Sequence, residues 1–168
     1  IRAPLIEQKV IDSIISKSQT NVIKLNEDEY KKLEVKTFDI KDNKKLIRNT
    51  LLRGVRECDV IITAGGMSVG EEDHLKDVIR SLGTINFWRV LIKPGKPIAF
   101  GNIKGTPVIG LPGNPGSVFV TFHVLAKPFL FKCQGRTGVE PLILKARANF
   151  SRAGEKREVY HRASTNTA

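Results

Sequence analysis

The chain has 168 residues, 40% of them apolar, and a formal charge of +11. That length supports one ordinary core plus a fragment of a second, and the charge favours an anionic partner without choosing among phosphorylated metabolite, oxyanion and nucleic acid. No apolar run reaches the roughly 18 residues of a membrane span, the amino terminus "IRAPLIEQKV" has no signal-peptide centre, and no aromatic-interleaved basic strand appears, so the expectation is a cytoplasmic protein that binds neither membrane nor nucleic acid.

Residues 4–17, "PLIEQKVIDSIISK", carry apolar side chains at helical spacing and predict an amphipathic helix. The polar stretch 18–32 has no period and reads as a loop or a junction, leaving 1–32 as a segment of uncertain architecture. From residue 33 the order becomes regular. "LEVKTFDI" (33–40) predicts a strand, 43–57 a helix, and "DVIITAG" (59–65) a buried strand without alternation, as expected of a parallel strand covered on both faces. A helix over 73–82 follows. "INFWRVLI" (85–92) and "PIAFGNI" (97–103) predict strands joined by "KPGK", and "TPVIGL" (106–111) another. "NPGSVFVTFHVLAKPFLFKC" (114–133) predicts a helix that Pro128 bends or ends. The alternation argues for an α/β domain over 33–138, a mostly parallel sheet with helices on both faces. Beyond Gly138 that rhythm stops, and 139–168 reads as the start of an incomplete β-rich domain.

Ligands of such sheets bind beyond the carboxyl ends of the strands, where four stretches could carry chemistry. In "TAGGMSVGEED", Gly65, Gly66 and Gly70 allow backbone N–H groups to approach an anion, Ser68 offers a hydroxyl, and Asp73 stands where the next helix begins. Asp73 is equally well explained as a helix cap. In "GLPGNPGS" (110–117), Asn114 suits an N-cap and Pro115 the first helical position, either as a capped helix alone or as a second anion site. In "IKPGKP" (92–97), Lys93 and Lys96 flank a Pro-Gly turn that, standing alone, is an ordinary solvated hairpin. Asp42 follows the strand at 33–40, either capping the next helix or sharing a cation or phosphate with the loop of Asp73. His74, His123 and His161 form no ligand constellation, and Cys58 and Cys133 read as buried thiols.

Taken together and in order, "DVIITAGGMSVGEED", "FWRVLIKPGKPIAFG" and "GLPGNPGS" closely resemble the molybdopterin molybdotransferase family, which includes the carboxy-terminal domain of gephyrin. The resemblance covers roughly residues 33–138 well, while "GEKREVYHRA" weakly resembles the start of that family's last, β-rich domain. It implies insertion of molybdate into adenylated molybdopterin with release of AMP, dependent on Mg2+, in a homodimer. By the same resemblance Asp73 and Asp42 are the catalytic and metal-holding acids. Ser68, Lys93, Lys96 and Pro97 match the molybdate-binding set, Pro112 and Pro115 the motif prolines, and Arg162, or failing that Arg157, an arginine reaching the oxyanion. Alternatives are a molybdopterin adenylyltransferase, whose Gly-Gly-Thr-Gly loop differs from "GGMSVG", and a non-catalytic binding or scaffold module. The family's amino-terminal domains have no recognisable counterpart in residues 1–32.

Overall fold

A computed structural model describes residues 35–66, 74–139, 147, 148, 150, 151 and 153–161. The predicted helix at 4–17 lies outside them. The elements, in chain order, are α1 (Lys44–Glu57), β1 (Ile61–Ala64), α2 (His74–Leu82), β2 (Thr84–Phe87), β3 (Ile92–Lys93), β4 (Ala99–Ile103), β5 (Thr106–Leu111), α3 (Pro115–Thr121), a π-helical turn (Phe122–Ala126), α4 (Lys127–Cys133) and β6 (Glu158–Val159).

Four strands form one sheet in the order β1-β5-β4-β2. β1 runs parallel to β5, with Ile61 opposite Val108 and Ala64 opposite Leu111. β5 and β4 are antiparallel, as are β4 and β2. The sheet is therefore mixed, not mostly parallel. The reason is local: only Lys104 and Gly105 separate β4 from β5, both with positive φ (50° and 93°), and a two-residue connection can join antiparallel strands alone. Asn102 closes that turn by accepting the Gly105 N–H at 2.7 Å.

Helices cover both faces, and the period-2 pleat sorts the core between them. On one face Ile47 and Leu51 of α1 and Leu75, Val78 and Ile79 of α2 pack with Ala99, Ile103 and Val108 of the sheet. On the other, Phe100, Ile109 and Leu111 meet Leu125, Ala126 and Phe129 of the long helical segment. Phe100 packs edge-on against Phe129, with centroids 5.6 Å apart. Gly54 lets α1 approach β1, since a Cβ there would stand 3.0 Å from Cδ1 of Ile61. Across α1 and α2, Lys44 Nζ lies 3.4 Å from Asp77 and Arg48 donates to Ser81 at 3.3 Å.

Three expectations need correction. Residues 35–40 form no strand: Val35 and Phe38 are exposed, and the segment instead runs beside the second half of α1, where Lys36 pairs with Glu57 at 3.2 Å and Arg53 lies over the Phe38 ring. Arg53 first and then Lys36, both bonded to the Glu57 carboxyl, hold it below its ordinary pKa range. The strand at 59–65 is shortened to β1, sits at a sheet edge, and alternates in exposure, with Ile62 on the outside. The stretch 85–92 is not one strand. It leaves the large sheet after Phe87 and resumes as β3, which pairs in parallel with β6 in a second, two-stranded sheet.

Pro128 does not end the helix. In an α-helical register its ring would press on the carbonyl four residues back, but the wider turn just before it shifts the register, with the Lys127 N–H donating to the Phe122 carbonyl.

Candidate functional site

The site is built where β1 and β5, parallel neighbours, both end. Past Ala64 the chain turns through Gly65 and Gly66, at φ 92° and 66°, a left-handed conformation that glycine adopts without strain. The Gly65 N–H donates to the Leu111 carbonyl at 3.2 Å, which carries the pairing one residue beyond the strands. Gly113 faces Gly65, for a Cβ on Gly113 would touch the Gly65 Cα at 3.6 Å. Gly66 rests against Leu75 of α2. Two glycine turns thus meet backbone to backbone at the ends of β1 and β5.

Beyond β5, Pro112 is buried and Asn114 exposed. Asn114 caps α3 as predicted, its side chain accepting the Ser117 N–H at 3.2 Å, and Pro115 occupies the first turn. Proline has no N–H, so Gly116 supplies the first donor of that helix.

The lysine turn joins the same rim through α3. Gly95, at φ 111°, is buried against Thr121 and Ser117. Thr121 is fully buried and turns its hydroxyl back to the Ser117 carbonyl at 2.8 Å, leaving its methyl toward Gly95. Lys96 and Pro97 close the turn: the Lys96 carbonyl accepts from Val90 at 3.2 Å and from Ile98 at 3.1 Å, and the Lys96 side chain is exposed. Lys93 is half-buried, with its ammonium 3.1 and 3.2 Å from the two carboxylate oxygens of Glu155.

Asp42 is exposed and does not cap α1. Asn43 does, accepting from Lys45 at 3.0 Å and Leu46 at 3.2 Å. The next residue, Lys44, reaches Asp77 in the first turn of α2, so the start of α1 lies beside the start of α2. Ser68, Gly70, Asp73 and Arg162 lie outside the described residues. Strand register and backbone contacts thus set the turns that carry Gly65 and Gly66, Pro112, Asn114 and Pro115, and Lys93, Lys96 and Pro97 along one rim of the sheet. Thr121, Gly113 and Glu155 are participants that sequence reasoning missed. Gly113 was legible from its place inside "PGNP"; Thr121 lies within a helix and Glu155 in a remote tail, and neither carries a local signal.

Among the described residues no three His, Cys, Asp or Glu side chains gather as a metal cage. Of the two acids assigned to Mg2+ by resemblance, Asp42 is exposed and Asp73 lies outside the described residues.

The fold of two turns at a parallel strand pair, with a lysine turn packed on the following helix, defines a ligand-binding α/β domain. The family described as "Probable molybdopterin binding domain" matches residues 22–132, and the chain belongs to it. The molybdopterin molybdenumtransferase of Haemophilus influenzae is 44% identical over 95 residues, covering 56% of this chain and 24% of that protein. Gephyrin of Dictyostelium discoideum is 38% identical over 112 residues, 57% of this chain and 16% of that one. The solved MoeA molybdopterin biosynthesis protein from Pyrococcus horikoshii superposes with a TM-score of 0.51 at 36% identity, over 58% of this chain and 24% of its own. The chain therefore spans about a quarter or less of each of these proteins.

Proposed function

We propose that the chain takes part in inserting molybdate into adenylated molybdopterin, with release of AMP. The observation supporting this most strongly is the convergence of three sequence motifs, distant in the chain, on one rim: Gly65 on Leu111 and Gly113, and Gly95 on Ser117 and Thr121. Glycine turns and the start of α3 suit the phosphates of an adenylated pterin, and Lys93 and Lys96 suit a tetrahedral oxyanion. Ser68 and Arg162 are the further oxyanion contacts. Mg2+, held by Asp42 and Asp73, would neutralise the pyrophosphate between pterin and AMP. Similarity to a molybdopterin molybdenumtransferase at 44% identity favours the same chemistry.

The chain spans about a quarter or less of the three relatives named above, and in this reading the complete reaction uses further domains and a homodimer in which the second subunit completes the pocket. Residues 1–168 alone should bind oxyanion or nucleotide weakly and insert molybdenum negligibly. The test is molybdenum insertion by the full-length protein, beside Asp73→Asn and Asp42→Asn, at saturating molybdate and Mg2+. Since Asn43 and not Asp42 caps α1, Asp42→Asn should fold as the parent does. Turnover is expected to fall roughly 10²-fold or more for either variant. Near-parental insertion by both would overturn the proposal, and AMP transfer from ATP to molybdopterin in place of insertion would identify an adenylyltransferase.

A further inference from the structure

We infer that Glu155 is a tethered competitor for the oxyanion at Lys93, and that it sets which anions the rim admits. This rests on the proposed role of Lys93 in binding an oxyanion. Both carboxylate oxygens of Glu155 lie within hydrogen-bond reach of Lys93 Nζ, at 3.1 and 3.2 Å, across 62 residues of sequence. The backbone holds the two in place. β6 pairs with β3 in parallel, the Glu158 N–H donating to the Leu91 carbonyl and the Tyr160 N–H to the Lys93 carbonyl, each at 2.8 Å. Glu155 therefore reaches Lys93 from the segment that leads into β6, three residues before a strand fixed to the lysine turn itself.

An ammonium has three donors, and a carboxylate engaging it with both oxygens leaves little for a second anion. An incoming oxyanion must share or displace Glu155. The pair is half-exposed, with side-chain accessibilities of 43% for Lys93 and 25% for Glu155, so it is of the weak, exchangeable kind and not a lock. A dianion gains about twice the Coulomb attraction of a monoanion at the same distance. Molybdate or sulfate can therefore displace the tethered carboxylate, whereas acetate or chloride offers Lys93 nothing that Glu155 does not already supply. The tail thus acts as a charge filter that excludes the abundant monoanions.

The sign of one substitution separates this role from a structural one. If Glu155 only held the turn in shape, Glu155→Gln would loosen Lys93 and weaken anion binding; as a competitor, its neutralisation must strengthen it. Molybdate and acetate are titrated calorimetrically at constant ionic strength into the full chain, the Glu155→Gln and Lys93→Ala variants, and the double variant. The expected result is roughly 2–5-fold tighter molybdate binding by Glu155→Gln, with acetate binding newly measurable, and loss of both gains in the double variant. Unchanged or weaker molybdate binding by Glu155→Gln, while Lys93→Ala also binds more weakly, overturns the inference and leaves the oxyanion role of Lys93 standing. Molybdate affinity unaffected by Lys93→Ala removes that role and the inference with it.

Discussion

Gly95 and Thr121 are packed so closely that a Cβ on Gly95 would fall inside the contact distance of the Thr121 methyl. Gly95 also holds φ 111°, where side chains other than glycine are strained. Gly95→Ala should therefore destabilise the chain for two separable reasons, by roughly 1–3 kcal/mol. Thr121→Ser removes the methyl while keeping the hydroxyl that bonds Ser117, so the double variant should recover the steric share and not the conformational one. Urea unfolding of the parent, both single variants and the double variant checks this. Complete recovery would show that backbone strain contributes nothing.

Asn114 serves the fold and the site through different properties. As a cap it accepts the Ser117 N–H, so Asn114→Ala should cost about 0.5–2 kcal/mol. Asn114→Asp keeps an equally good cap but adds negative charge at the mouth of the glycine turns. Its melting temperature should match the parent's while affinity for AMP or molybdate falls several-fold. Equal loss of binding by both variants would mean that cap geometry, not charge, is what a ligand senses.

The β4–β5 turn offers a gain of stability. Lys104 stands at φ 50°, the left-handed region disfavoured for side chains with a Cβ, and its side chain is exposed. Lys104→Asn, giving the Asn-Gly pair that such two-residue turns prefer, should raise stability by about 0.5–1 kcal/mol without touching the site. A lower urea midpoint would indicate that the lysine makes a contribution elsewhere.

That same turn shows what could be read in the sequence and what could not. The predicted strands 97–103 and 106–111 are separated by two residues, which already requires them to be antiparallel; the overall βα rhythm concealed it. Helices α1 and α2 were legible because Ile47, Leu51 and Gly54, and Leu75, Val78 and Ile79, recur at helical spacing on the buried side. Segment 33–40 has strand composition, yet residues 35–40 lie beside α1 with no hydrogen-bonded neighbour strand, because composition specifies a pleated surface and not the partner that completes it. The glycine turns and lysine turn were legible as motifs, and so was their gathering at one sheet edge. The contacts that seat them were not, since these depend on β1 lying next to β5 and on a threonine buried inside α3.

Cys58 and Cys133 are both half-buried, short of the full burial expected of them. Cys133 packs against the core beside Phe129, and burial pushes its thiol up to about 11. The thiolate is the nucleophile, so at neutral pH Cys133 should react with iodoacetamide far more slowly than the same residue in the urea-unfolded chain, and its rate should climb as pH approaches that value. Stability follows the same proton. Between the ordinary thiol pKa of 9.0 and about 11, the unfolded chain has released the proton and the folded chain still holds it. The unfolded state then binds fewer protons, so the Cys133 contribution is fully present below pH 9.0 and is lost as pH rises through about 11. Cys133→Ala removes that titration together with part of the packing. Its urea midpoint should start lower at pH 8 and fall less steeply over the alkaline range than the parent's. Parallel alkaline profiles for the two proteins would place the thiol in a solvated environment and refute the upward shift.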